Sequence, residues 1–156
     1  MIRLVSSLLL VVAVFTGPVA QAADSQAAKG VVERLQSDVI AILKQAKELG
    51  VDGRYQRLLP VLNRDVHMTL MTATATGSFW RKGTKAQRDR ATKAFTEMHV
   101  ALLAGLFDSY NGENFRTLRA RETGGQVVLV DSEIFDGEGE PTLVTFVTAN
   151  VRGQWW

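Results

Sequence analysis

Apolar positions divide the chain into three regimes. Residues 4–15 are apolar apart from Ser6 and Ser7, residues 24–110 repeat at helical spacing, and residues 115–156 alternate at strand spacing. The longest helical stretch, residues 84–110, is charged in its first half and almost wholly apolar in its second. Thr84, followed three residues later by Gln87, makes a capping box that fixes its start. Ala91, Ala94, Phe95, Met98, Leu102 and Leu106 form one apolar stripe, and Val100, Leu103 and Phe107 form a second beside it. One partner surface cannot cover both. The pattern therefore predicts either a helix lying on a sheet and flanked by other helices, or a helix lining a cavity that holds something other than protein.

Upstream, residues 24–50 predict an amphipathic helix with Val32, Leu35, Val39, Ile42, Leu43 and Ala46 on one face, Gln36 largely elsewhere, and Gly50 as its C-cap. Residues 54–75 predict two shorter helical pieces. The first presents Tyr55, Leu58, Leu59 and Leu62, and Pro60 fits only near its start or at a bend. The second, from Asp65, offers Val66, Leu70 and Ala73 together with Met68 and Met71. These methionines suit ordinary core packing, and equally the adaptable wall of a cavity. Residues 77–83 interrupt the helical pattern. Trp80 is expected either beneath that turn, its indole N–H meeting a backbone carbonyl, or in a pocket wall.

After Tyr110 the period changes to two. Strands are expected from Phe115, from Gln126 to Phe135 and from Thr142 to Val151, with turns at Asn111-Gly112, Gly124-Gly125 and Asp136–Pro141. Val128, Val130 and Ile134 share one face of the second strand, Val127 and Leu129 the other, so neither face of the sheet is expected to lie wholly in water. Arg152-Gly153-Gln154 is a further turn, after which Trp155-Trp156 opens a strand. Helices first and an antiparallel meander afterwards predict an α+β domain, with the helices gathered on one side of a curved sheet.

The first regime changes the compartment. Arg3, the apolar run and the small residues of Ala20-Gln21-Ala22 form a secretory signal peptide, cut between Ala22 and Ala23, leaving one domain over residues 23–156. The run is shorter than the ~20 residues a spanning helix needs. Loss of Arg3 leaves 17 basic against 16 acidic side chains, without the overall basic excess usual in a nucleic-acid binder. Arg81, Lys82, Lys85, Arg88 and Arg90 form the densest basic run, either a solvated helix start or a docking patch for an acidic protein or lipid headgroups. There is no cysteine, which removes disulfides and thiol chemistry.

Catalytic and metal signatures are sparse. His67 and His99 stand far apart on different helices, without a carboxylate at ligand spacing, and suit structural or surface positions. Gly83-Thr84-Lys85 lacks the first glycine of a phosphate loop and reads as a helix cap. Asp131 and Glu133, two apart on a strand, face the same way and could form a paired-carboxylate site. Ser132 has no acid–histidine partner near it in sequence.

Taken in order, Gly53-Arg54-Tyr55 leading into Leu58-Leu59-Pro60, Gly77-Ser78-Phe79-Trp80 followed by residues 84–88, the passage Leu106–Phe115 and Gly153-Gln154-Trp155 resemble the MlaC family of periplasmic lipid-binding proteins. This family is also called the toluene-tolerance auxiliary family. The Gly-Arg-Tyr segment leans toward its hopanoid-associated HpnM branch. The resemblance implies an NTF2-like domain enclosing an apolar lipid pocket, with no enzymatic activity and no cofactor or metal. It implies a carrier shuttling phospholipid, or a hopanoid-type lipid, between an inner-membrane ABC transporter complex and an outer-membrane lipoprotein or porin partner, maintaining outer-membrane lipid asymmetry. Relatives carry a complete last strand and a further helical segment beyond the Gly-x-Trp turn, so a sheet lacking its edge strand is expected here. The pocket candidates are Met68, Met71, Phe95, Met98, Leu102, Leu106, Val128, Val130 and Phe146. Two other readings remain open: an NTF2-like enzyme acting on an apolar small molecule with Asp131 or Glu133 as base, and a non-carrying adaptor domain with a filled core.

Overall fold

A computed structural model describes residues 17–136 and 139–156, with side chains from residue 24 onward. The greater part of the expected signal peptide, residues 1–16, lies outside the described residues. Five helices come first: α1 (Gly17–Leu43), α2 (Ala46–Asp65), α3 (Met68–Thr76), α4 (Ser78–Lys82) and α5 (Lys85–Leu106). Four strands follow, β1 (Asn114–Glu122), β2 (Val127–Phe135), β3 (Thr142–Val151) and β4 (Gln154–Trp155), forming an antiparallel meander in sequence order.

The helix boundaries expose what local chemistry controls. At Thr84 the capping box forms, the hydroxyl accepting from the Gln87 N–H at 3.3 Å while the Gln87 side chain accepts from the Thr84 N–H at 2.8 Å. His67 caps α3, its Nδ1 accepting from the Leu70 N–H at 3.1 Å. Helix α1 stops at Leu43 instead of running to Gly50, and Gly50 interrupts α2 as a kink with φ 60° and ψ −179°. That region of backbone space is essentially confined to glycine. Gly50→Ala is therefore expected to lower stability by ~1–3 kcal/mol, read from urea denaturation. An unchanged midpoint would show that the kink relaxes freely.

Pro60 sits inside α2, contrary to the expected start or bend. It is tolerated because both Pro60 and Gln56, whose carbonyl loses its helical donor, are exposed, so water takes the lost hydrogen bond.

The helix that lies on the sheet is α1 and not α5. Ala28 and Val32 pack against Val128 and Val130 of β2, with Ala120, Phe146 and Trp155 around them. Farther along α1, Val39, Ile40, Ile42 and Leu43 join Leu58, Val61 and Leu62 of α2 and Val100 and Ala104 of α5. Helix α5 thus packs on α2 and α3. Only its second stripe is covered: Val100 and Ala104 are fully buried and Leu103 and Phe107 pack beside them, whereas Met98, Leu102 and Leu106 are 56–65% exposed.

A buried polar latch ties α1 to the sheet. Gln36, predicted to lie off the apolar face, is buried and donates to the Ser132 hydroxyl at 2.9 Å, while its carbonyl oxygen accepts from the Thr117 hydroxyl at 3.2 Å. Each of these groups would be costly to bury alone. Together they fix how α1 is seated.

The opposite sheet face is largely open, though not wholly in water, since Val127 and Leu129 are half-buried there. Leu143 and Val147 are each 72% exposed there. Arg116 pairs with Glu133 across the strands, and Arg119 and Arg121 both pair with Asp131, so charge interrupts the apolar positions on that face.

Candidate functional site

The alternation of β3 and the amphipathic faces of α1 and α3 leave an apolar groove where the three elements meet. Val31, Val32 and Leu35 of α1 make one wall, Val66, Leu70 and Met71 the second, and β3 from Thr145 to Ala149 forms the floor. The cavity measures about 430 Å³, within the range of ~300–1,000 Å³ common to small-molecule sites. Trp156 closes one end, held by reciprocal backbone hydrogen bonds of 3.1 Å with Ala149 and by the His67 ring, 5.0 Å away between centroids.

β4 pairs with β3 only near this corner. Before Ala149 no strand among the described residues pairs with the outer edge of β3, and Thr145 and Val147, in the same register parity, turn their backbone groups toward it. The groove therefore opens along an unpaired strand edge. Its hydrocarbon lining supplies dispersion and water exclusion and few hydrogen-bonding groups, an arrangement suited to an apolar ligand.

One charged group flanks the groove. Asp65 is buried, and its carboxylate accepts from Arg34 at 2.9 and 2.6 Å and from Arg64, which also reaches Asp38. Burial pushes the Asp65 carboxyl up, but the Arg64 and Arg34 hydrogen bonds outweigh it and leave the group below its ordinary value of 3.8. It stays a carboxylate that anchors the α2–α3 corner to α1.

The nine pocket candidates separate into groups. Met71 and Phe146 line the groove. Val128 and Val130 lie in the inner core of the sheet, Val130 directly opposite Phe146 in register. Met68 is buried at the start of α3. Phe95 is half-buried, its ring 4.0 Å from that of His99, while Met98, Leu102 and Leu106 stand exposed on α5. None of the four α5 residues lines this groove. The groove adds Val31, Val32, Leu35, Val66, Leu70 and Trp156. Their signal was the breadth of the apolar face of α1, since Val31 and Val32 extend it past what a single facing helix covers.

The paired carboxylates do not enter the cavity. Asp131 and Glu133 point from the sheet face opposite α1, and hydrogen bonds from Arg121 and Arg119, with a third from Thr145, hold the Asp131 carboxyl far below the usual carboxylate range. A base so stabilised as its anion is a poor proton acceptor. Ser132 is fully buried and engaged with Gln36, and the His99 Nδ1 meets the Phe95 carbonyl at 2.8 Å. Trp80 is half-buried under the Arg88 guanidinium, 5.7 Å from its ring centre, and its indole finds no protein acceptor among the described residues.

Residues 33–156 match the family described as MlaC protein. The chain belongs to the MlaC family. Among curated protein sequences, none matches it significantly. Of solved structures, it is similar to a phospholipid-binding protein from Ralstonia solanacearum in complex with a phospholipid, at 20% identity and a TM-score of 0.67, covering 82% of this chain and 73% of that one. That likeness shows the fold: MlaC-type helices on a curled antiparallel sheet, the α+β arrangement expected from the order of periodicities.

Proposed function

We propose that this MlaC-family protein is a periplasmic carrier that holds a lipid tail in the groove between α1, α3 and β3, and that it is exported by cleavage of residues 1–22. The observation that carries the reading is the groove itself: about 430 Å³ lined mainly by aliphatic and aromatic side chains, left unfilled by the chain's own core. Its membership of the MlaC family and its likeness to a protein solved with a phospholipid support the same conclusion. The physical need is large. Each methylene shielded from water is worth ~0.8 kcal/mol, so an acyl chain of about sixteen carbons is stabilised by on the order of 10 kcal/mol when covered. The headgroup stays outside the hydrocarbon lining, and no elaborate polar site is required.

In this reading the cargo is a phospholipid or a hopanoid-type lipid, passed between an inner-membrane ABC transporter complex and an outer-membrane lipoprotein or porin partner. Native mass spectrometry of the periplasmic protein, followed by lipid extraction, is expected to find co-purified lipid and to identify its class. Met71→Asp places a charge on the groove wall at a position already 40% exposed, so folding should survive while bound lipid falls at least several-fold. Leu102→Asp, on the exposed stripe of α5, lowers lipid content only if that stripe also contacts the cargo. Lipid-free wild-type protein would end the carrier reading.

A further inference from the structure

The α4–α5 corner concentrates the positive charge of the chain. Residues 78–93 contain Arg81, Lys82, Lys85, Arg88, Arg90 and Lys93 against the single carboxylate of Asp89, a net +5 where the whole sequence carries +2, so the remainder sums to −3. Phe79 projects from this corner at 82% exposure, the most exposed large apolar side chain among the described residues. Beside it the Trp80 ring lies under Arg88, whose Nε is buried without a hydrogen-bond acceptor, the only such side-chain atom among the described residues. Two of these cations are paired along α5, Lys85 with Asp89 at 2.6 Å and Lys93 with Glu97 at 3.8 Å, which leaves Arg81, Lys82, Arg88 and Arg90 to make the local field positive.

We propose that this corner docks on an anionic lipid bilayer, with Phe79 entering the headgroup boundary and the surrounding cations meeting lipid phosphates. Charge complementarity selects an acidic surface. The aromatic geometry favours a membrane over an acidic protein, because a lone ring projecting from a five-residue helix covers far less than the ~800 Å² per partner typical of a stable protein interface. A bilayer yields around such a ring and needs no matching pocket. Long cationic side chains beside an aromatic ring are the combination that lies at a membrane–water boundary. One nine-residue helix, α3, separates the corner in sequence from the groove residues Val66 and His67, and Leu70 and Met71 on that helix are themselves partly exposed. A protein seated by Phe79 would thus hold the groove within about one short helix length, ~14 Å, of the bilayer.

The test is flotation of the periplasmically purified protein with vesicles of phosphatidylcholine alone or mixed with phosphatidylglycerol. Binding is expected to be about tenfold tighter to the anionic vesicles and to weaken sharply as salt is raised to about 0.5 M. Phe79→Ser and the double change Lys82→Glu with Lys85→Glu should each reduce it about tenfold, with circular dichroism unchanged because these side chains are exposed. Equal binding to both vesicles, no binding to either, or indifference to the substitutions overturns the proposal, including the case in which an acidic protein is the true partner. Lipid content measured on the same samples separates the two ideas: a wild-type protein that carries lipid yet ignores anionic vesicles overturns docking alone, and one that binds vesicles while empty overturns the carrier reading alone.

Discussion

Arg54→Ala is expected to destabilise the protein by ~3–5 kcal/mol, through two backbone carbonyls left without donors inside the helical layer. Arg54 is 6% exposed, its guanidinium donating from Nε to the Ala104 carbonyl and from Nη1 to the Ala46 carbonyl, each at 2.7 Å. Ala104 lies in the last turn of α5, where carbonyls carry negative partial charge, and Ala46 opens α2 just before the Gly50 kink. No ion pair among the described residues involves Arg54, so the cation is balanced by peptide dipoles. Lysine can reach one of the two carbonyls. Arg54→Lys is therefore expected to cost about half as much, because one donor of the fork is lost and the charge remains. Urea denaturation of the three proteins decides it: a loss below about 1 kcal/mol for Arg54→Ala would show that water enters and satisfies both carbonyls.

The second large effect is a reversal of pH dependence at Asp65. Its folded pKa is depressed, so its contribution to stability is fully present above the ordinary carboxylate value of 3.8 and is lost as pH falls through the lower folded value. Acid should loosen the α2–α3 corner of the wild type below about pH 4. Replacing both Arg34 and Arg64 with alanine leaves the carboxylate buried without partners, which raises its folded pKa above the unfolded one. The double variant should then lose ~3–5 kcal/mol at neutral pH, and that deficit should shrink as pH falls toward 4 and protonation removes the uncompensated charge. Asp65→Ala alone should cost less, about 2 kcal/mol, because Arg34 and Arg64 are both 48% exposed and return to water when their acceptor is gone. Melting curves between pH 3.5 and 7, taken for the wild type and both variants at steps of about half a unit, measure the slopes. If the double variant's deficit grows on acidification, the arginines are not what holds the carboxylate ionised.

Both residues bear on the proposed cargo. Asp65 fixes the junction from which Val66, Leu70 and Met71 reach the groove, and Arg54, which does not line it, holds α2 against the end of α5, so loss of either should disturb lipid retention through the frame.

The residues alone determined the order of elements. A change of apolar period from helical to alternating separates α5 from β1, and this follows from backbone geometry that no partner can alter. The Thr84 cap and the Arg152-Gly153 turn, with φ 56° and 88°, are equally local. The order and spacing of the motifs likewise sufficed for the MlaC resemblance. What the sequence could not decide was which of two apolar helix stripes finds a partner. On α5 the choice fell to Val100 and Ala104, because α2 presents Leu58 and Leu62 to them, while α1 took the place on the sheet through Gln36, Ser132 and Thr117. Those contacts join residues 81–96 positions apart. Hydrophobic burial has no direction of its own, so a face reads as apolar long before its neighbour is known. The groove exists only because α1, α3 and β3 meet in space, and that meeting belongs to the tertiary structure.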